Sequence, residues 1–360
     1  MPTANLTQLR LQNQHLAQLV FNNPADLVHY MGAVQAQDYT GAKWALGMRL
    51  KDSTDELIDK ALTAGDIIRT HVLRPTWHFV HPKDIRWMLE LTARRIQASA
   101  VSRHRQLGLD DSVLSKCENL VAKALDGHNQ LSRDVISDML QKNGIVTNEQ
   151  RFVHIMMHLE LEQVICSGGR EGKQFTYALF DNRVPKTKTL SKEEALATLA
   201  ERYFTSHGPA TLPDFVWWSG LTGTDAKAGL EANKTKLSSF TLEGSTYWFT
   251  EHPNSNVIKP DAAYLLPNYD EYIVSYKDRG ATIAAKNINL ADPRGTIFNH
   301  TIILNGKIEG IWKRTFKKDT LELEIIPFKK LSIANVSTVE KAAKKYADFL
   351  GLKGATITYK

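Results

Sequence analysis

The sequence predicts an α+β protein in which groups of helices are each followed by a β-hairpin. Three observations predict this class. Apolar residues recur at helical spacing over many short segments. In three places, two segments of alternating apolar and polar residues flank a turn. After residue 261 the pattern becomes β-rich. Because 360 residues are too many for one comfortable core, we expect several subdomains.

The first predicted unit, residues 1–80, has helices over 9–19, from Asn23 through Val34, and over 55–64, the last ended by Gly65. Pro24 suits the first turn of its helix. Residues 67–72 and 76–80 then alternate as strands around Arg74-Pro75. Helices followed by a two-stranded ribbon are typical of a winged helix.

The same order recurs twice, over residues 81–188 and 189–260. Each stretch has helical patterns and then a hairpin signal, around a Gly-rich tip in the first and around Glu243-Gly244-Ser245 in the second. Residues 261–360 are predicted to contain strands near 273–274, 301–304, 308–313 and 321–326, and a helix over 339–350. We therefore expect three tandem winged-helix units with a β-rich C-terminal segment.

Composition and charge narrow the functional classes. The chain is 42% hydrophobic and 23% charged, which is ordinary for a soluble globular protein. There is no apolar run of membrane-spanning length and no visible secretory signal. Two cysteines fit free thiols in a reducing compartment, so we expect a cytoplasmic protein. The net charge of +6 favours an anionic partner.

The basic charge is clustered between residues 83 and 105. This helical stretch could follow a phosphate backbone, but a solvated helix face remains the alternative. Against only Asp84 and Glu90 it carries Lys83, Arg86, Arg94, Arg95, Arg103 and Arg105.

The most informative short motif is Gln35-Ala36-Gln37. A carboxamide accepts and donates hydrogen bonds but does not change protonation near neutral pH. Two such groups can orient a water molecule, but neither can act as a strong general base. They suit attack of water on a carbon whose leaving group is already activated. The alternative is that both side chains cap backbone groups at a helix end.

Other polar residues could have either a functional or a structural role. Asp38 is either a second base or a helix cap. His154 and His158 have the spacing of metal ligands, but no third ligand is apparent. Asp270 and Glu271, next to Lys277 and Arg279, favour a salt-bridged turn. We predict no metal and no cofactor.

Longer matches extend over about residues 9–350. The chain has Gln35-Ala36-Gln37-Asp38 and Arg74-Pro75-Thr76-Trp77-His78, then His207-Gly208-Pro209 and Trp218-Ser219-Gly220-Leu221. Leu266-Pro267-Asn268-Tyr269-Asp270-Glu271 and Gly310-Ile311-Trp312-Lys313-Arg314 follow in order. As a set, these residues resemble the AlkZ-like (YcaQ-related) DNA glycosylases. The second glutamine resembles the toxin-resistance branch, since the broad-acting branch has aspartate there.

This resemblance implies a monofunctional DNA glycosylase that hydrolyses the N-glycosidic bond of bulky N7-alkylated purines in double-stranded DNA, including interstrand crosslinks. It implies catalysis by Gln35 and Gln37 in a basic concave cleft whose wall includes Asp38, Trp77 and His78. We expect a monomer. A non-enzymatic winged-helix DNA-binding protein or transcription regulator is the alternative. The residues expected to bind DNA are Arg69, Arg74, Arg94, Arg95, Arg103, Arg105, Lys277, Arg279, Lys313 and Arg314.

Overall fold

The N-terminal part of the chain contains four helices and a small antiparallel sheet. The computed structural model describes residues 3–172, 174–251, 262–293, 295 and 299–360. Within the sheet, the strand order is β1-β3-β2. The elements are α1 (Thr3–Asn13), α2 (Pro24–Met31), β1 (Ala33–Gln35), α3 (Tyr39–Gly47), α4 (Asp55–Ala64), β2 (Ile68–Val72) and β3 (Arg74–Val80).

The next part begins with the longest helix, α5, which packs against the β2–β3 ribbon. A second antiparallel sheet has the order β4-β6-β5. The elements are α5 (Pro82–Gln106), α6 (Asp111–Leu125), β4 (Leu131–Ser132), α7 (Arg133–Lys142), α8 (Glu149–Leu161), β5 (Ile165–Glu171), β6 (Gln174–Leu179) and α9 (Phe180–Arg183).

The third part ends in a two-stranded hairpin. Ala210 and Trp248 exchange backbone hydrogen bonds of 3.0 and 2.8 Å, so a single residue takes the place of a third strand. Thus a helix, a short extended segment, two helices and a hairpin follow one another in each of the three parts. The elements are α10 (Lys192–Ser206), α11 (Leu212–Ser219), α12 (Gly223–Glu231), β7 (Ser238–Leu242) and β8 (Ser245–Phe249).

In the described residues, the C-terminal part contains a five-stranded sheet of order β13-β12-β11-β10-β9, in which β12 and β13 are parallel and the other neighbouring strands are antiparallel. Asn305 and Gly306 both have positive φ (52° and 77°), as a type I′ hairpin turn requires. The elements are β9 (Ala263–Leu266), α13 (Glu271–Val274), α14 (Ile288–Ala291), β10 (Thr301–Leu304), β11 (Lys307–Phe316), β12 (Leu321–Pro327), α15 (Ile333–Phe349) and β13 (Ala355–Tyr359).

Local predictions were wrong in two places that bear on the site. The helix predicted through Val34 ends at Met31, because Gly32 has φ 79° and ψ −60°, a conformation that an L side chain rarely adopts. Gln35 therefore ends a strand and does not end a helix. The strand predicted at residues 273–274 is helix α13, whose first turn is capped by the Asp270 carboxylate.

The hydrophobic cores cross the predicted unit boundaries. One cluster joins residues 11–79 to residues 263–349, where the indoles of Trp44 and Trp312 donate to the backbone oxygens of Leu265 (2.7 Å) and Leu266 (2.9 Å). A second joins the β2–β3 ribbon and α5 to α10–α12, and a third lies within residues 109–177. The C-terminal segment therefore shares a core with the first part. The predicted boundary at residues 260 and 261 lies outside the described residues.

Within the described residues, no helix is both long enough and apolar enough to cross a membrane. Cys117 and Cys166 are free and buried. Burial raises the pKa of the two thiols to about 11 and about 12, so both are protonated near neutral pH.

Candidate active site

The backbone of the Gln35-Ala36-Gln37 motif is held from two sides. Gln35 pairs with His78 across β1 and β3, and the Ala36 N–H donates to the Trp77 carbonyl at 2.7 Å. From the other side, the Arg69 guanidinium donates two hydrogen bonds, of 3.1 and 3.0 Å, to the Ala36 carbonyl. Ala36 itself is fully buried. The motif is thus a fixed extended segment, with a packed residue between the two glutamines.

The two glutamines occupy different environments. Gln35 is 8% exposed, and its Oε1 accepts a hydrogen bond from Nη2 of Arg74 at 2.9 Å. Gln37 is exposed, and its Oε1 has only a long contact of 3.4 Å with the Trp77 N–H. The orientation of the Gln35 carboxamide is therefore fixed by the protein. The Gln37 carboxamide is the one that solvent or a ligand reaches.

A buried carboxylate lies directly behind Gln35. Glu271 is fully buried, and its Oε1 accepts the Gln35 N–H at 2.6 Å. Its Oε2 accepts from the Trp218 indole at 3.1 Å and from the Ser275 hydroxyl, with His207 Nε2 3.4 Å away. Burial alone would raise the pKa of this carboxyl, but the contacts with His207 and Ser275 and the Gln35 N–H hold it at about 2.

Asp270 and Glu271 were predicted to form a salt-bridged turn with Lys277 and Arg279, but their partners are different. Asp270 is paired with Arg49 by two hydrogen bonds of 2.8 and 2.9 Å, both groups being buried. Glu271 supports the motif, a role that the sequence reasoning missed. The Asn-Tyr-Asp-Glu run was visible, but nothing in it indicates a contact with a strand more than two hundred residues earlier.

Asp38 is the N-cap of α3, where its carboxylate accepts from the Gly41 N–H at 3.2 Å. Arg314, on β11, approaches the same carboxylate at 3.8 Å. These contacts favour the helix-cap interpretation of Asp38. They also bring the C-terminal sheet next to Gln37.

His78 does not lie on an open wall, contrary to expectation. The side chain is fully buried, and Nδ1 is 2.9 Å from the Thr76 carbonyl, which assigns the proton to Nδ1. Burial lowers the pKa of His78 to about 3, and Arg74 adds to the effect, so the ring is neutral at physiological pH. Because the side chain is fully buried, His78 is not exposed to a ligand. Trp77 is partly exposed, and its ring packs between Arg69 (4.3 Å) and His71 (4.5 Å).

The predicted DNA-binding residues fall into two sets. Arg69 and Arg74 bind the motif, Arg279 donates to the Ile273 carbonyl at 3.0 Å, and Arg314 is beside Asp38. The remaining members are exposed, namely Arg94, Arg95, Arg103, Arg105, Lys277 and Lys313.

The four exposed arginines of α5 do not share one face. At roughly 3.6 residues per turn, Arg94 and Arg105 are about three full turns apart and align, whereas Arg103 lies on the opposite side from Arg94. Arg103 also donates to the Gln150 side chain at 3.1 Å. These four side chains therefore do not form a single basic surface.

One group in the described part of the chain has the spacing of metal ligands, namely His29, His81 and Asp84. The Asp84 Oδ2 already lies 2.6 Å from both His29 Nδ1 and Arg202 Nη1. A cation there would meet the Arg202 guanidinium, so these contacts favour an ion-pair cluster. His158, one of the pair considered from the sequence, bonds to Glu118 at 2.7 Å.

Comparison with known proteins assigns the chain to a family. Residues 28–349 match the family model described as DNA glycosylase AlkZ-like, so the chain belongs to that family and is a DNA glycosylase. It is 22% identical over 356 residues to the interstrand DNA cross-link repair glycosylase of Streptomyces sahachiroi, covering 95% of each chain. The solved structure of the Streptomyces sahachiroi DNA glycosylase AlkZ has the same fold, with a TM-score of 0.81, 21% identity and all of both chains covered.

Proposed function

We propose that this protein hydrolyses the N-glycosidic bond of bulky N7-alkylated purines in double-stranded DNA, including bases that join the two strands. Alkylation at N7 gives the purine a positive charge, so the base leaves without protonation. When the C1′–N9 bond breaks, its electron pair neutralises the purine. Water adds to C1′ through an oxocarbenium-like transition state and releases a proton to solvent.

The observation that carries this proposal is the exposed Gln37 carboxamide on a fixed backbone. Its Oε1 is available to accept from the attacking water and to direct a carbonyl dipole at the developing positive charge. Gln35, locked by Arg74, contributes a second oriented dipole. Because the Ala36 backbone is bonded to Trp77 and Arg69, the chain that carries both side chains is fixed before the reaction.

The buried charge around Gln35 supports the same chemistry. Glu271 is ionised and accepts the Gln35 N–H, so a negative charge lies behind the motif. This charge does not oppose a cationic transition state in front of the motif. The Asp38 carboxylate caps α3 and is not assigned the role of a general base. This suits a substrate whose leaving group is already activated.

We further propose that the three repeats of helices and hairpin are winged-helix units that border a basic, open cleft. The repeated element order and the exposed Arg94, Arg105 and Lys277 support this. An ordinary glycosylase flips its base into a closed pocket. A base tethered to both strands cannot easily be flipped, so an open cleft suits a crosslink. Duplex DNA containing alkylated purines would be the partner, and two buried free thiols suit a reducing, cytoplasmic compartment.

The test is single-turnover formation of abasic sites on duplexes that carry 7-methylguanine, a bulky N7-guanine adduct or an N7–N7 crosslink. The proposal expects product from the bulky adduct and the crosslink. Duplex binding without product from any of the three would make a non-catalytic DNA-binding regulator the better account.

A further inference from the structure

A cavity of about 350 Å³ opens beside the motif, between the β2–β3 ribbon on one side and β4, β6 and the start of α7 on the other. Three of its lining residues are aromatic and two are arginines, with a single carboxylate. The lining residues are Arg69, Trp77, Ser132, Arg133, Asp134, Gln174, Phe175 and Tyr177.

The cavity is joined to the catalytic segment by two of its walls. The Trp77 N–H donates to Gln37 Oε1, and the Trp77 carbonyl accepts from the Ala36 N–H, while Arg69 donates to the Ala36 carbonyl from the other side. Trp77 therefore touches both Gln37 and the cavity, so the two are joined through a single residue. The volume is at the lower end for small-molecule pockets. The methyl substituent of 7-methylguanine would fill only a small part of this cavity.

The lining has a definite chemical preference. The Arg69 guanidinium lies 4.3 Å from the Trp77 ring and 5.2 Å from the Phe175 ring. Only two of the five N–H donors of an arginine are used on Ala36, which leaves donors for a ligand oxygen. Burial raises the pKa of Tyr177 to about 12, so the phenol stays neutral beside Arg133. Aromatic walls with arginine donors suit a flat ring bearing oxygen acceptors.

We propose that this cavity receives the substituent of the alkylated purine, and that it selects planar aromatic substituents bearing a carbonyl or ether oxygen. This inference rests on the proposed function, since it names the part of the adduct that the catalytic segment does not contact. Phe175, partly exposed at the rim, is a specificity-determining residue.

The first test compares Phe175→Ala and Phe175→Leu with wild type on three duplexes. These carry 7-methylguanine, an N7-guanine adduct with a two-ring aromatic amide, and an aliphatic N7 adduct of similar size. Loss of a stacking aromatic should lower excision of the aromatic adduct at least about 10-fold more than that of 7-methylguanine. Phe175→Leu keeps an apolar side chain at the site, so a defect shared by both variants is not a folding failure.

The matched control is Phe240→Ala, a partly buried aromatic that stacks on Tyr247 in the β7–β8 hairpin. It should leave the preference between adducts unchanged. Equal losses on all three duplexes, accompanied by a weaker salt dependence of binding, would show that the cavity holds a phosphate and would overturn the inference. Unchanged rates in both Phe175 variants would overturn it as well.

A second readout separates this inference from the proposed function. Equilibrium binding of the same duplexes is measured with Gln37→Ala and with Gln37→Ala/Phe175→Ala, in which turnover does not interfere. Tighter binding of the aromatic adduct than of 7-methylguanine, lost with Phe175, supports the cavity even if wild type forms no product. Equal binding of both duplexes by Gln37→Ala overturns the cavity while leaving the excision proposal intact.

Discussion

Two identical side chains in the Gln35-Ala36-Gln37 motif differ in what surrounds them. Gln35 is buried and bonded to Arg74, whereas Gln37 is exposed with one long contact. At the residue scale, the neighbours of Gln35 determine how rigid the motif is. The groups to test are therefore Arg74 and Glu271, which touch Gln35 from different sides.

Arg74→Met should lower excision by about 10-fold, because the Gln35 carboxamide loses a hydrogen bond from a charged donor and is free to rotate. The slope of log affinity for DNA against log salt should not change. Single-turnover excision and binding at several salt concentrations measure the two effects. A slope lower by about one unit, with the chemical step intact, would assign Arg74 to a phosphate instead.

Glu271→Gln should destabilise the fold near neutral pH, because the buried carboxylate accepts at least three hydrogen bonds. The pKa of Glu271 is depressed to about 2 in the folded protein, so its stabilising contribution is present above the ordinary value of 4.5 and is lost as pH falls towards 2. Urea unfolding at pH 7 and at pH 3.5 should show that the difference between wild type and variant narrows on acidification. A constant difference would mean that the charge of Glu271 is not what stabilises the fold.

At the scale of elements, Gly32 sets where α2 ends and β1 begins. Its φ of 79° and ψ of −60° place Gln35 in the strand. Gly32→Ala should cost about 1–3 kcal/mol, because an L side chain is strained there even though its Cβ would meet Trp218 at an ordinary 3.5 Å. Chemical denaturation measures the cost.

The arginines of α5 lie on different faces of the helix, so their contributions to DNA binding should differ. Arg94→Gln/Arg105→Gln should reduce the salt slope by about two units, since each neutralised phosphate contributes about 0.9. Arg103→Gln should leave it unchanged, because that side chain is engaged with Gln150 on α8. If the double variant binds duplex DNA with the wild-type slope, the aligned face of α5 is only solvated.

For the whole molecule, the shared core predicts that the first part and the C-terminal segment unfold together. Trp44 packs on Tyr346 and Phe349 and donates to Leu265. Trp44→Ala should cost about 3–5 kcal/mol. Hydrogen exchange should then show faster opening of β9–β12 as well as of α3. Protection retained in β9–β12 would mean that the C-terminal segment is stable by itself.

Much of this architecture was predictable because its signals are local. Pro24, Gly65 and Asn305-Gly306 each act within a few residues, and the ribbon at β2–β3 follows from alternation. What the sequence could not indicate depends on distant contacts. Strand β1 has only three residues and exists because β3 pairs with it. Likewise, the roles of Arg74 and Glu271 arise where separate parts of the chain meet at Gln35.

The central claim, catalysis by the exposed Gln37 carboxamide, is tested most directly by single-turnover excision of 7-methylguanine and of a bulky N7 adduct. Gln37→Ala should be slower by about 10²-fold or more, with DNA binding nearly unchanged. Gln37→Asp should retain activity, since a carboxylate also stabilises an oxocarbenium ion. Gln18→Ala, an exposed glutamine outside the motif, should match wild type. Equal rates for wild type and Gln37→Ala on every substrate that is excised would contradict the account.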